Sequence, residues 1–446
     1  WEVFDQLFVW QNSDLGAQST QLGATLRSYF AQGGRKCYVV RLGNSYLSKA
    51  SRFERLKYLS YFMPGYPNQI TSSPSQRYSW QGLGHLFGLP DVSFLCIPDI
   101  PDLISSQQTE MSTQIANVDF PEQFVECSEQ SISLLEIRAD EAEEPISIPV
   151  CGDSEYEDWA MFLNQVGQFI ARYRREVQLL AAVPIPMGGS KAESNLLKYF
   201  SEQKYLATGL DNNPRGLASA FIQLVYPWIR TSGSLNLPGQ IENPEGVLAG
   251  ILSQNALLRG SYRSAANLNL RNTYAVYPLL SNEQMLGKLP NTRHRLLERL
   301  SLLGPTPSGL RLLSDVTTSL DSNYRPASVS RLVSLLVRAA RKLGENLTFE
   351  VAGEQLWAIV QDNLNTLLLR LYQAGALRGK SPNEAFQVRC DRTTMTPNDL
   401  DNGRVIAVVQ FAAAIPITQI TVVLSISEGG QVAFRSQQPV VKEVAA

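Results

Sequence analysis

Few residues in this 446-residue chain could do chemistry, and they are poorly spaced for it. Its two histidines, His85 and His294, lie far apart in sequence, so a His-based triad or a His-rich metal centre is difficult to build. The five cysteines, Cys37, Cys96, Cys127, Cys151 and Cys390, contain no C-x-x-C pair. Cys37, Cys96 and Cys390 fall in apolar, strand-like runs, where a thiol behaves as a small buried hydrophobe. An odd cysteine count without a framework points to a reducing compartment. Met187 to Lys191 (MGGSK) suggests a phosphate cradle, but it lacks the G-x-x-x-x-G-K-[ST] spacing, and Pro184 and Pro186 stiffen its approach. It is expected to be a loop. Asp399 to Gly403 (DLDNG) superficially resembles a calcium loop, yet Gly403 falls at the third alternate ligand position and no Glu closes the loop. A polar turn is the better reading. With no G-x-S-x-G elbow either, no catalytic, metal or cofactor residue is expected, and the chain is not expected to be an enzyme.

The composition bounds the remaining classes. Hydrophobic residues make up 44% of the chain, enough to bury a sizeable core, and the length suggests two or three domains. A formal net charge of -2 supplies no basic field for nucleic acid. No apolar run reaches membrane-spanning length, so direct membrane insertion is not expected. The chain opens on Trp1 rather than Met, with no signal-peptide pattern after it, and a preceding segment is expected.

The elements that would position any site follow from periodicity. In the first part, helices precede apolar strands repeatedly: Leu22 to Gln32, closed by Gly33-Gly34, leads into Cys37 to Leu42 (CYVVRL). Trp80 to Gly88 leads into Val92 to Ile97, and Trp159 to Arg175 leads into Val177 to Val183. Phe221 to Trp228 supplies a possible fourth strand. This alternation predicts an α/β body over 1–280 with a mainly parallel sheet and flanking helices, possibly with an outward-facing insertion. Ser72 to Ser79, Asp99 to Thr109 and the acidic Asp140 to Glu144 are expected as loops. The range 281–326, rich in Pro, Gly and Ser around one basic helix at Thr292 to Leu303, is expected to be a junction.

From Ala327 the helical period returns. Val329, Leu332, Val333, Leu336 and Val337 form a stripe, Arg331, Arg338, Arg341 and Lys342 occupy other faces, and Gly344 is expected to end the helix. A new segment begins at Phe349, and Gln355 to Ala374 forms a long helix capped by Gly375. Gln387 to Cys390 and Val405 to Phe411 then alternate on a period of two, and a β-branched run covers Ile417 to Ile426. Helix, helix and three strands make 327–446 a compact α+β unit ending in an exchangeable strand arm at 417–446.

One ordered string in this unit is specific: Ala374 to Leu377 (AGAL), Ala385-Phe386, Arg389-Cys390-Asp391, Thr394-Met395-Thr396 and Asp401-Asn402-Gly403-Arg404. Upstream, Tyr226-Pro227-Trp228, Pro244 to Gly250 (PEGVLAG) and Arg259-Gly260 form a weaker series. Together these resemble the contractile tail sheath family, most closely the sheath subunits of phage-tail-like extracellular injection systems. The resemblance covers roughly the second half of the chain. It implies a structural subunit that polymerises as stacked hexameric rings around an inner tube, and contracts to propel it. It also implies a baseplate, and possibly a cap or sheath paralogues, as partners, and assembly in the cytoplasm as part of a particle. Release from the cell or anchoring through other components would follow.

On this reading Ile417, Ile420, Val422, Leu424 and Ile426 form an inter-subunit strand that docks beside Val405 to Phe411 of its own sheet or a neighbour's. Gly429 and Gly430 would be its hinge, and 431–446 a terminal extension with interchain contacts. Arg370, Arg378 and Lys380 are candidates for a small polar tube contact that can release, or equally are solvated helix-end charges. Asp391, Thr394, Met395, Thr396, Asp401, Asn402 and Gly403 form the family-motif turn. The alternative is a cytosolic α/β nucleotide-binding protein or enzyme with an interaction domain, which would carry a deep polar pocket near the strand ends after Val40, Ile97 or Val183.

Overall fold

The computed structural model describes residues 1–8, 21–42, 51–68, 72–107, 148–209, 212–235, 237–286, 295–347, 350, 353–401, 404–414, 422–426 and 432–436. Five strands follow one another in chain order across a central sheet: β1 (Phe94–Cys96), β2 (Gln178–Ala182), β3 (Ile222–Tyr226), β4 (Ser301–Thr306) and β5 (Gly309–Leu312). The first four are parallel and β5 returns antiparallel on β4. Leu95 lies opposite Leu179, Leu180 opposite Gln223 and Tyr226 opposite Leu302. Every residue of β2 and β3 is buried, the pattern of strands covered on both faces.

Three helices flank this sheet: α1 (Gln21–Ala31), α2 (Asp153–Tyr173) and α3 (Glu245–Leu258). α2 buries Trp159, Phe162, Val166 and Ile170 in one cluster with Leu179, Ala181 and Leu224. On the other face, Val247, Leu248, Ile251 and Leu252 of α3 pack with Leu180, Ala182 and Val225. Successive strand side chains point to opposite faces, so a continuous apolar run such as Leu179 to Ala182 feeds both clusters. α1 lies against α3 at backbone distance, which requires glycine at two positions one helical turn apart. A Cβ on Gly246 would sit 2.1 Å from the Thr25 carbonyl oxygen, and one on Gly250 would sit 2.6 Å from that of Tyr29.

The C-terminal unit contains α4 (Ala327–Asn346), α5 (Glu354–Gln373), β6 (Phe386–Arg389), α6 (Pro397–Asp401) and β7 (Val408–Phe411). β6 and β7 pair antiparallel, with Phe386 opposite Phe411 and Val388 opposite Val409. Their apolar face packs with Leu332, Leu364, Leu368 and Leu371. Gly375, at φ +77°, supplies the left-handed residue that ends α5. A separate hairpin joins β8 (Val422–Ile426) to β9 (Val432–Ser436).

Several expectations need correction. Cys37 to Leu42 is not a strand. Gly82–Gly88 is a 3-10 helix rather than an α-helix, and Ile100–Ile104 is a short helix inside an expected loop. The basic helix at Thr292 to Leu303 is replaced, within the described residues, by one 3-10 turn at Leu296–Glu298 and the start of β4. Within the range 281–326, Ser301–Thr306 and Gly309–Leu312 are strands of the central sheet. α4 continues past Gly344 to Asn346. Among the described residues β8 pairs with β9, so residues 432–436 of the expected terminal extension form a strand. His294, Cys127, Phe349 and Asp140 to Glu144 lie outside the described residues.

Candidate functional site

α4 connects the two halves of the molecule. Its first six residues, Ala327 to Leu332, are buried. Arg331 forms a bidentate pair with Asp315, Nη2 to Oδ2 at 2.6 Å and Nη1 to Oδ1 at 3.0 Å, with both side chains buried. Asp315 also accepts from the backbone N–H of Ala265 at 2.8 Å and from Gln223 Nε2 at 3.1 Å. Burial alone would raise the Asp315 carboxyl, but the Arg331 guanidinium and these hydrogen bonds outweigh it and hold it below the usual carboxylate range. Two turns on, Arg338 donates to the Val92 carbonyl at 2.8 Å and to Ser93 Oγ at 2.9 Å, while Arg341 pairs with the buried Glu176. Arg331, Arg338 and Arg341 of α4 thus dock on the body, while Lys342 stays exposed.

Beyond this anchor, the apolar stripe of α4 is only partly covered by the described residues. Val333, Leu336 and Val337 are only half-buried, and they form one wall of a groove of about 660 Å³. Val360, Leu364 and Leu368 of α5 form another wall. The third is the inner face of β7 and its approach: Val405, Ala407, Val409 and Phe411, spaced by two as a strand requires. Among the described residues, β7 pairs only with β6, apart from a single bridge between Leu377 and Ala413 past its end. The groove thus combines an apolar channel with a free strand edge whose N–H and C=O groups lack ladder partners. Such an edge is a template for an added strand.

The motif residues brace that edge. The Asp391 carboxylate accepts from the Thr393 N–H at 2.7 Å, and the Thr394 hydroxyl donates to the Ile406 carbonyl at 2.7 Å, tying the end of β6 to the chain entering β7. Thr396 and Asp399 bond reciprocally, Thr396 N–H to Asp399 Oδ2 at 3.0 Å and Asp399 N–H to Thr396 Oγ at 3.2 Å, closing the first turn of α6. Met395 is buried with Trp357 and Cys390. Asp401 ends α6; Asn402 and Gly403 lie outside the described residues. Asp391 and Asp399 are both held below the usual carboxylate range, first by their threonine hydrogen bonds.

The other predicted positions divide. Val422, Leu424 and Ile426 lie opposite Ser436, Phe434 and Val432 in the β8–β9 hairpin, whereas Ile417, Ile420, Gly429 and Gly430 fall outside the described residues. Arg370, Arg378 and Lys380 are all exposed around the turn that follows α5. The sequence reading missed the groove: it gave the α4 stripe without saying what would cover it.

At the strand ends the backbone amides of Ile97 and Ala182 are already bonded within the chain, and the groove of about 480 Å³ that borders Ile97, Pro98 and Asp99 is mainly apolar. Past β1 and β2, Glu245 accepts from the backbone N–H groups of Ile97 and Ala182, each at 2.9 Å, and Asn243 Nδ2 donates to the Pro98 carbonyl at 3.0 Å. Trp228 Nε1 donates to the Val183 carbonyl at 2.9 Å. Burial pushes the Glu245 carboxyl up to about 8. A neutral acid therefore holds the amides that a phosphate would need.

The chain is similar to solved structures of contractile injection systems. It matches a chain of the anti-feeding prophage baseplate at 23% identity and a TM-score of 0.46, over 64% of this chain and 69% of that one. It matches the helical sheath of the same system in the contracted state at 23% identity and a TM-score of 0.45, over 65% and 72%. A chain of the PVC extracellular contractile injection system sheath complex, also contracted, matches at 22% identity and 0.44, over 55% and 63%. No protein-family model and no curated protein matches the chain.

Proposed function

We propose that this chain is a structural subunit of the contractile sheath of a phage-tail-like injection system, polymerising as stacked hexameric rings around an inner tube and contracting to propel it. The observation that carries this reading is the apolar groove beside the unpaired edge of β7. The ordered motif from Ala374 to Arg404, which braces that edge, supports the family assignment.

The occupant of the groove is the β8–β9 hairpin of a neighbouring subunit, swung on the segment carrying Ile417 and Ile420; Gly429 and Gly430 fall between β8 and β9 and so cannot hinge the hairpin as a whole. Its addition turns the β6–β7 pair into a mixed-chain sheet and covers Leu336 and Val337. Backbone ladders suit a machine whose subunits rotate, because the ladder moves with the rigid unit while the linker absorbs the change in angle. The tube contact is different in kind: Arg370, Arg378 and Lys380 offer a small polar surface able to release during contraction. Baseplate, cap and sheath paralogues are the remaining partners. Assembly takes place in the cytoplasm, with release or anchoring left to other components.

Leu336→Asp and Val409→Asp test the proposal. Each places a carboxylate in the groove, and should abolish polymers while leaving the subunit folded by circular dichroism. Polymers of normal length from both variants would overturn it.

A further inference from the structure

The groove of about 480 Å³ beside β1 has the build of a small-molecule pocket. Leu22, Thr25, Leu26 and Tyr29, spaced i, i+3, i+4 and i+7 along α1, form one wall. Phe94 of β1, Leu86 and Leu257 of α3 line the others. This volume and this apolar lining suit one small molecule held by a few well-placed polar groups.

Two polar groups interrupt the lining at the start of α1. Thr25 is only 5% exposed, and its hydroxyl has no hydrogen-bond partner among the described residues. Asp99 also lines the groove and accepts from the Leu22 N–H, while no lysine, arginine or histidine among the described residues pairs with its carboxylate. Burial pushes the Asp99 carboxyl up to about 6. Burial first, and then repulsion from Asp99, pushes Asp102 and Glu245 up to about 8, with Arg55 acting against this at Asp102. At neutral pH those two neighbours keep their protons and Asp99 is the ionised member of the three. Of the other charged or titratable lining groups, Lys36 is held by Asp91 at 2.6 Å, and Arg35 and His85 are exposed. One helix N–H thus meets an enclosed charge that a paired cation would balance.

We infer that this groove binds a small organic cation, a primary ammonium on an apolar chain, with its head at Asp99 and Thr25 and its body along Leu26, Leu86 and Leu257. An ammonium carries three N–H donors, which suits one carboxylate and one hydroxyl, and its chain displaces water from the apolar walls. An anionic head is repelled by the same carboxylate, and the backbone amides of Ile97 and Ala182 that could receive it are already taken by Glu245. The bound molecule touches α1, α3 and β1 together, and so stabilises the body against unfolding.

The test is calorimetric titration of the free full-length subunit at neutral pH with hexylamine, 1-hexanol and hexanoate, which share a chain and differ in the head. Hexylamine should bind at least about tenfold more tightly than hexanol, and hexanoate should not bind. Asp99→Asn should weaken hexylamine at least about tenfold and leave hexanol unchanged. Ala256→Trp, which fills the groove from α3, should abolish binding of both, with circular dichroism confirming that each variant is folded. The comparison of the three probes uses the unsubstituted chain, so it stands even where a variant fails to fold. Equal affinities for hexylamine and hexanol, or no binding of hexylamine up to about 10 mM, would overturn the inference. Unchanged hexylamine binding by a folded Asp99→Asn chain would overturn it too. Every reading is made on the free subunit, and none depends on whether the protein forms a sheath.

Discussion

Replacing Arg331 by alanine tests how α4 is held. Arg331 makes two hydrogen bonds to Asp315, and a third from Nε to the Ser261 carbonyl at 3.0 Å. Removing the guanidinium leaves a fully buried carboxylate whose charge is no longer balanced. Breaking a buried pair in this way costs about 3–5 kcal/mol, and the donors that Asp315 keeps from Ala265 and Gln223 place the loss near the lower end. The loss is measured by urea unfolding of the free subunit, followed by tryptophan fluorescence. Arg331→Met combined with Asp315→Leu should recover at least about half of it, because the stranded charge is gone. The effect should be insensitive to added salt, since the pair is shielded from solvent. A loss below about 1 kcal/mol, or a double variant no better than the single, would refute the view that this pair anchors α4 to the body.

Other consequences concern pH, packing and the tube. Glu242 and Glu245 are buried, and burial pushes their carboxyls up to about 7 and about 8. The folded state then holds protons that the unfolded chain releases, so this stabilisation is complete below the ordinary carboxylate range and is lost as pH rises through 7 and 8. Thermal unfolding should show the body losing on the order of a few kcal/mol between about pH 5 and pH 9, and a flat profile over that range would contradict the burial argument. Asp315 acts in the opposite sense: its depressed carboxyl stabilises the fold above the usual carboxylate range and ceases to do so as pH falls through its lowered value. Gly246→Val would drive a Cβ into the Thr25 carbonyl, and should cost about 3 kcal/mol or prevent folding; a silent substitution would mean that α1 and α3 are not in backbone contact. Arg378→Glu with Lys380→Glu should weaken co-purification with the inner tube protein while leaving subunit stability within about 0.5 kcal/mol. Unchanged co-purification would remove these residues from the tube contact.

Much of this architecture was legible because it rests on local pattern. α5 and its Gly375 cap follow from a 3.6-residue period and a left-handed terminus, and β6 and β7 follow from alternation. β4 was hidden because Gly304 and Pro305 look like breakers and the residues before them have a helical period. Pairing with β3 involves only Ser301 and Leu302, so the missing N–H of Pro305 costs nothing on that side. Cys37 to Leu42 has the composition of a strand, but pairing is a property of the neighbour and cannot be read from the segment alone. Arg331 sits on the polar side of an amphipathic helix, where sequence predicts solvent; it is buried because its partner Asp315 comes from the loop after β5. The groove was illegible for a related reason: a half-open apolar stripe and a core stripe have the same periodicity, and only the absence of a covering element distinguishes them.

The most direct test of the central claim is electron microscopy of the full-length protein coexpressed with its cognate tube protein, at a resolution that traces strands. The account predicts cylinders of stacked rings, in a long narrow and a short wide form, with a hairpin from a neighbouring subunit hydrogen-bonded along β7. Discrete particles that never polymerise, or cylinders in which no strand from a neighbour lies on β7, would contradict it.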